Sequence, residues 1–432
     1  MTGGTPTTPD VPDVPDDQTS GETPDATGPT RRTVLRWGAL GLGGLVAAAS
    51  LGTLVRGGLN GAFSVGSGAP YELWSGWDAI DDLGRHVVAA GVLAANPHNT
   101  QPWTFVVTSD AGGATVTIDV HADPDRTMPV NDASGREHLA GIGCAVTNML
   151  VAAAGREVGA HAAYLPDGTH GPAARVVLGQ SGTEGSDTAG DAALAAVLPQ
   201  RHTARGAFTD EAVGADVLAD LAARSEQDGV RVLWLHEPQE RDALGALVVD
   251  ATAAVVADEA MSVEAFSWFR GDRSQLDAHR DGLTLDCQGL DAGTAFAAKV
   301  LPASSRRSGD EFWLRRTRDV HTATAAAYAV LVVDDVTDPV QQVAGGAVLQ
   351  RLLLECTAAG LAAQPMNQVT EYLDAVAYGT AGDRATADDL ARRWEELVPD
   401  GRTRGLLTLR IGYPARTGGT SPRRELDDVL VA

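Results

Sequence analysis

The segment SGREHLAGIGCAVTNMLVAA, Ser134 to Ala153, constrains the fold more than any other part of the chain. Leu139, Ile142, Val146, Met149, Leu150 and Ala153 recur at helical spacing and form one broad apolar face. Such a face is stable in water only against a second layer, so this helix predicts a sheet packed beneath it. Suitable strands lie on both sides. WTFVV and ATVTIDVH flank the turn sequence SDAGG and read as a hairpin, while Ala160–Tyr164 and Ala174–Leu178 read as two further strands. Ser134 is the expected N-cap of the helix, with Glu137 three residues on at the capping-box position.

The same rhythm continues in the second half. Helical spacing predicts helices over 191–199, 210–225, 238–257 and 339–359, besides one over 77–95 ahead of the hairpin in the first half, with strands at Val230–Leu235, Ala329–Val333 and Leu406–Ile411. Long helices covering short strands in both halves define an α+β or α/β class. Between Arg270 and Arg318 the sequence is polar, arginine-rich and weakly periodic, which reads as a lid or an excursion on the fold. No repeat is visible in the sequence itself. The composition agrees with a globular chain: 432 residues, 44% hydrophobic and 21% charged. A net charge of −24 argues against a nucleic-acid partner, whose phosphates it would repel. Cys144, Cys287 and Cys356 are isolated thiols and read as buried small side chains, and the histidines show no metal-ligand spacing.

The N-terminus has its own organisation. Residues 1–29 are rich in Pro, Thr, Asp and Gly and read as a disordered segment. In 30–56, Arg31 and Arg32 precede an uncharged run from Trp37 to Val55, just long enough at ~1.5 Å per residue to cross a bilayer core. This resembles a twin-arginine export signal. It implies the export machinery as a partner and an extracytoplasmic or membrane-anchored location, with cleavage and retention as an anchor both open. A Gly/Ser-rich linker over 57–74 then leads into a first lobe, 75–185, and a second, 186–432.

Four stretches carry chemistry. In AANPHNTQPWTFVV, Asn96, His98, Asn99, Thr100 and Gln101 crowd a helix-to-strand passage. Their amides can orient a flat heterocycle or merely satisfy the backbone of a turn. In PQRHTARGAF, Arg201 and Arg205 would project to one side if the segment were a helical turn, a geometry suited to an oxyanion; a solvated basic turn is the alternative. TAAGLAAQPMNQ holds Pro365 in an extended stretch, with backbone N–H groups near Met366, Asn367 and Gln368 available to a ligand. The tail places Arg423 and Arg424 after a glycine-rich loop.

Taken together, PHNTQPW, RHTAR with its following Phe, GLAAQP and the terminal GYP…PRRELDDV resemble the nitroreductase-like superfamily, and in particular its Acg-like two-lobed branch. The resemblance runs from about Trp77 to the C-terminus. It implies an α+β nitroreductase-like fold in which a single chain forms an internal pseudo-dimer of two α/β lobes, so that no oligomer is required to complete the site. It also implies FMN as cofactor. Arg201, His202, Thr203 and Arg205 would hold its phosphate and pyrimidine edge, and Asn99 would reach it from the other lobe. Pro365, Met366 and Asn367 would line the flavin, and Arg423 or Arg424 would complete the phosphate clamp. The implied activity is hydride transfer through the flavin to nitro, quinone or similar flat acceptors, with NAD(P)H as donor and no protein side chain acting as the nucleophile. The alternative reading is a flavin-sequestering or flavin-free stress protein of the same fold.

Overall fold

The structure is a computed structural model that describes residues 57–431, apart from residue 64 and segments 180–187 and 302–304. The disordered segment and the export signal expected over 1–56 therefore lie outside the described residues. Two four-stranded antiparallel sheets organise the described chain. The first contains β1 (Trp103–Ser109), β2 (Val116–Ala122), β3 (Ala160–Tyr164) and β4 (Ala174–Leu178) in the order β1-β2-β4-β3. The second contains β5 (Arg231–Leu235), β6 (Ala327–Val332), β7 (Ala362–Pro365) and β8 (Gly405–Gly412) in the order β5-β6-β8-β7. The topologies are identical, and the repeat extends to the helices. α1 (Leu83–Val92) precedes β1 and the 20-residue α2 (Arg136–Gly155) links β2 to β3. After α3 (Thr188–Ala195), α4 (Ala215–Ser225) precedes β5, and the 20-residue α10 (Pro339–Ala358) links β6 to β7.

The second lobe differs by its insertions. Residues 236–326 carry α5 (Pro238–Ala257), α6 (Glu259–Ser267), α7 (Arg273–His279), α8 (Ala292–Val300) and α9 (Arg306–Arg316). Between β7 and β8 lie α11 (Gln368–Tyr378) and α12 (Arg384–Leu397). These helices cover the outer face of the second sheet. On β6, Ala327, Ala329 and Leu331 face the core shared with α2 and α10, while Tyr328 and Val330 face a second core built from α5, α11 and α12. That is why β8 is buried along its whole length, whereas β1 alternates.

The lobes meet through α2 and α10. Both are long, apolar and small-residue-rich, and glycine lets their backbones touch. A Cβ on Gly143 would stand 1.9 Å from the Val343 carbonyl oxygen, and a Cβ on Gly346 would stand 1.9 Å from that of Ala140. Ala140 and Gly143 correspond to Val343 and Gly346 at one constant sequence offset, so each contact is the mirror of the other. This reciprocity is the signature of a two-fold interface, here formed within one chain. Thr147 Oγ1 and Cys144 Sγ donate to the carbonyls of Ala347 and Gly346 across the seam at 3.0 and 3.1 Å. α2 is long and apolar enough to cross a membrane by length and composition, but it is buried in this core.

Most expected elements are present: the hairpin, β3, β4, α5 and α10 fall within a residue or two of their predicted bounds. Others need correction. The helix expected over 77–95 is shorter, a single 3₁₀ turn at Trp77–Ala79 preceding α1, whose N-cap is Asp82. Ser134 does not cap α2. Gly135 occupies that position in a left-handed conformation, and the buried Asp132 carboxylate accepts from the N–H groups of Glu137 and His138 instead. Residues 201–205 are extended rather than helical, because Thr203 bridges to Ala363 and Ala204 N–H bonds the Ala363 carbonyl. The weakly periodic region 270–318 is largely helical, its polarity reflecting short helices exposed on one side. All three cysteines are free and buried, as expected.

Candidate cofactor-binding site

A cavity of about 530 Å³ opens between the lobes, within the range of cofactor sites. The N-terminal half of α2 supplies Glu137, Gly141 and Cys144, and the end of β7 with the start of α11 supplies Gln364, Pro365, Asn367, Gln368 and Glu371. Loop residues 95–98 close one side, next to Thr203 and Arg205. The opposite wall is apolar and comes from the inserted helices, with Phe266, Phe269, Phe312 and Trp313. The region 270–318, ambiguous in sequence, thus contributes part of the wall.

The polar loop Asn96–Gln101 is built for position. His98, Asn99 and Gln101 all have positive φ, at 46°, 57° and 52°, a costly run for residues with side chains. Hydrogen bonds hold it there. Asn96 Oδ1 accepts from Gln101 N–H at 2.8 Å. Asn99 Nδ2 donates to the carbonyls of Gly282 and Pro422, and its Oδ1 accepts from Arg423 Nη1 at 2.6 Å. Gln101 donates to the Arg280 carbonyl and accepts from Arg424 N–H. The side chains therefore tie three segments together: the loop, the 280–282 turn and the C-terminal tail. One consequence is that His98 borders the cavity while Asn99 does not. Burial and the nearby Arg205 guanidinium push the His98 pKa down to about 4, so its imidazole is neutral.

The arginines divide into two groups. Arg205 borders the cavity, and its Nη1 donates a single 3.3 Å bond to the Cys287 carbonyl. Arg201 and Arg423 are both buried outside the cavity wall, and both donate to the Leu93 carbonyl. Both also stack on Trp74, at 5.9 and 4.8 Å from the ring, and His202 meets the same ring edge-on. Their Nε atoms have no partner. Burial lowers both, to about 10 for Arg201 and about 9 for Arg423, the latter helped by the neighbouring Arg201 charge. Two neighbouring guanidiniums with no carboxylate paired to either among the described residues form a site short of negative charge. Arg424 turns away, donating to the carbonyls of Trp103 and Asp428. His321, read in the sequence only as one of the scattered histidines, also borders the cavity beside the Arg205 backbone, and burial with the Arg410, Arg316 and Arg205 charges pushes its pKa well down.

Of the residues expected to hold the cofactor, Thr203, Arg205, Pro365 and Asn367 meet at the cavity. Asn99, Arg201, His202, Met366, Arg423 and Arg424 do not border it. Met366 instead packs into the second core. Asn367 Oδ1 accepts from Thr408 N–H at 2.8 Å, which fixes the turn from β7 into α11. Sequence reading missed Glu371 entirely and took Glu137 for a capping residue. Nothing local marks either one, because they lie on different lobes.

No family model matches the chain. A protein of Mycobacterium tuberculosis that carries the provisional name NAD(P)H nitroreductase is 28% identical over 291 residues, which is 66% of this chain and 76% of that one. The FMN-dependent nitroreductase of Mycobacterium smegmatis, solved in complex with NADPH, aligns with 56% of this chain and 98% of its own at 17% identity and a TM-score of 0.35. A nitroreductase with bound FMN from Desulfitobacterium hafniense covers 55% and 97% of the two chains at 14% identity and a TM-score of 0.32.

Proposed function

We propose that the chain is an FMN-dependent oxidoreductase of nitroreductase type, taking hydride from NAD(P)H and passing it to a flat acceptor such as a nitro compound or quinone. One observation carries this reading. The fold gathers, at a single cavity between its lobes, the RHTAR segment of one lobe, the PHNTQPW loop of the other and the QPMN turn. The similarity to relatives named NAD(P)H nitroreductases supports it.

The residues present fit the cofactor. Arg205 offers the cavity a guanidinium without a counter-ion among the described residues, and the partnerless Gln368 Oε1 leaves the wall short of a hydrogen bond. Arg205 and Thr203 would hold anionic and carbonyl groups of FMN, the Arg201–Arg423 pair would add positive potential behind them, and Pro365 with Asn367 would lie against the ring. FMN, when bound, supplies the hydride chemistry. The protein's share is to orient the ring, stabilise charge on its polar edge and exclude water with the aromatic wall. Cys144 takes no part as a nucleophile, because burial raises its thiol to about 12.

The twin-arginine resemblance supports export of the folded, loaded protein as part of the same proposal. The test is direct. Purified protein is expected to carry or take up FMN, seen as flavin absorbance, and NADPH should bleach it under anaerobic conditions. Protein that stays colourless with added FMN would overturn the reading. Flavin bleached by dithionite but not NADPH would favour sequestration or a different donor.

A further inference from the structure

Several acidic side chains surround the point where α2 meets α11, and all but two accept from backbone N–H groups or pair with an arginine. Asp132 caps α2 through two N–H groups. Asp374 pairs with Arg136 at 2.5 Å. Glu264 accepts from Val130 N–H and from both the backbone and the side-chain amide of Asn131. Glu137 and Glu371 remain. They come from different lobes, border the cavity together and hydrogen-bond to each other, with Asn367 as a further side-chain partner of Glu137. No arginine or lysine among the described residues forms an ion pair with either. Beside them Gln368, buried and also bordering the cavity, has a carbonyl oxygen without a partner. This unmet acceptor leaves the polar patch open to a donor from an occupant of the cavity.

A hydrogen bond between two carboxyl groups requires a proton on one of them. Given the proposed oxidoreductase activity, we infer that Glu137 and Glu371 share one proton at the cavity wall and deliver it to an oxygen of the bound electron acceptor. The stoichiometry requires such a proton. A nitro group that receives a hydride needs one more proton to become a nitroso group and water, with one N–O bond broken. A quinone that receives a hydride needs one more to become a hydroquinone, with two O–H bonds formed. In both cases the pair is left as two carboxylates facing each other, an unfavourable state that water relieves by returning a proton.

The surroundings hold the proton through neutrality. Burial raises both groups first. The acidic neighbours Asp132, Glu264 and Asp374 then help to hold Glu371 up at about 7, while Arg136 acts in the opposite direction on Glu137; burial and the neighbouring Glu137 carboxyl raise Asp132 well above the usual carboxyl range in turn. The two titrate as a unit. An acid of this kind is charged with its proton at and below neutral pH and loses it as the pH rises.

The experiment combines two readouts. Infrared titration of the flavin-free protein follows the carbonyl stretch of protonated carboxylic acid in wild type and in Glu137→Gln/Glu371→Gln, with circular dichroism to confirm folding. A band that persists to near neutrality in wild type and is smaller in the double variant is expected, Asp132, which burial also raises, supplying the remainder. In FMN-loaded protein, acceptor reduction by wild type should slow as the pair deprotonates. The double variant should be slower by roughly 100-fold and lack that alkaline limb, with its flavin content unchanged. A band of equal size in folded wild type and the double variant, or an unchanged rate and pH profile in the double variant, would overturn the inference. Failure to take up flavin with the band in place would sink the donor role along with the proposed activity, yet leave the shared proton standing. The single variant Glu371→Gln, which leaves α2 untouched, decides the matter if the double variant does not fold.

Discussion

Replacing Gly143 with Ala tests the pseudo-dimer at its tightest point. A methyl there would lie 1.9 Å from the Val343 oxygen and 2.6 Å from the Ala347 nitrogen, where real Cβ contacts begin at about 3.0 Å. Both obstacles are backbone atoms of α10, so no rotamer change relieves the clash and the helices must part by about an ångström. Two effects compete. Gly to Ala inside a helix is worth about 1 kcal/mol in favour of the variant. Overpacking of a close interface costs about 1–3 kcal/mol, and clashes with backbone belong at the upper end. The net expectation is a loss of roughly 2 kcal/mol, read as a lower denaturant midpoint at constant m-value. Because Glu137, Gly141 and Cys144 ride on α2 and Leu349 on α10, cavity binding should weaken as well. Gly346→Ala makes the mirror contact and should cost a similar amount. The double variant should cost less than the two combined, since helices already parted for one methyl admit the second. A Gly143→Ala protein as stable as wild type would refute the close two-fold packing.

Arg205→Ala, which removes a guanidinium bordering the cavity, should weaken FMN affinity by about ten- to a hundredfold, the worth of one charge-assisted bond, while Arg201→Ala or Arg423→Ala, acting from behind the wall, should weaken it less, measured by flavin fluorescence quenching. Asn99→Ala leaves the carbonyls of Gly282 and Pro422 and the Arg423 guanidinium short of a partner, so a stability loss of about 1–3 kcal/mol is expected in chemical denaturation. Folded-state stability should fall as the pH rises from about 5 to about 8, because Glu371 binds its proton more tightly folded than unfolded. Its contribution is present below the ordinary carboxyl range and is lost through about 7; in Glu371→Gln this slope should flatten, as shown by denaturant midpoints across that range.

Local physics wrote much of the architecture into the sequence. The apolar stripe of α2, the hairpin around its Gly-rich turn and the strands β3 and β4 arise from periods of 3.6 and 2 and from turn residues, which act over a few positions. The segments that meet at the cavity were legible as motifs for the same reason. Their geometry was not. Whether 201–205 is helical depended on a bridge to Ala363, more than 150 residues away, and tertiary pairing overrode the local pattern. Asn99 was readable as a polar residue at a special place, but only the fold decided that its amide would clamp Arg423 and the 280–282 turn while His98 faced the cavity. The internal repeat left no trace in residue identities, because a two-fold asks only for the same order of elements and for glycine where the backbones touch. The pair Glu137 and Glu371 is the clearest case. One sits on α2 and the other on α11, each unremarkable alone, and the proton they share exists only because the lobes close on one another.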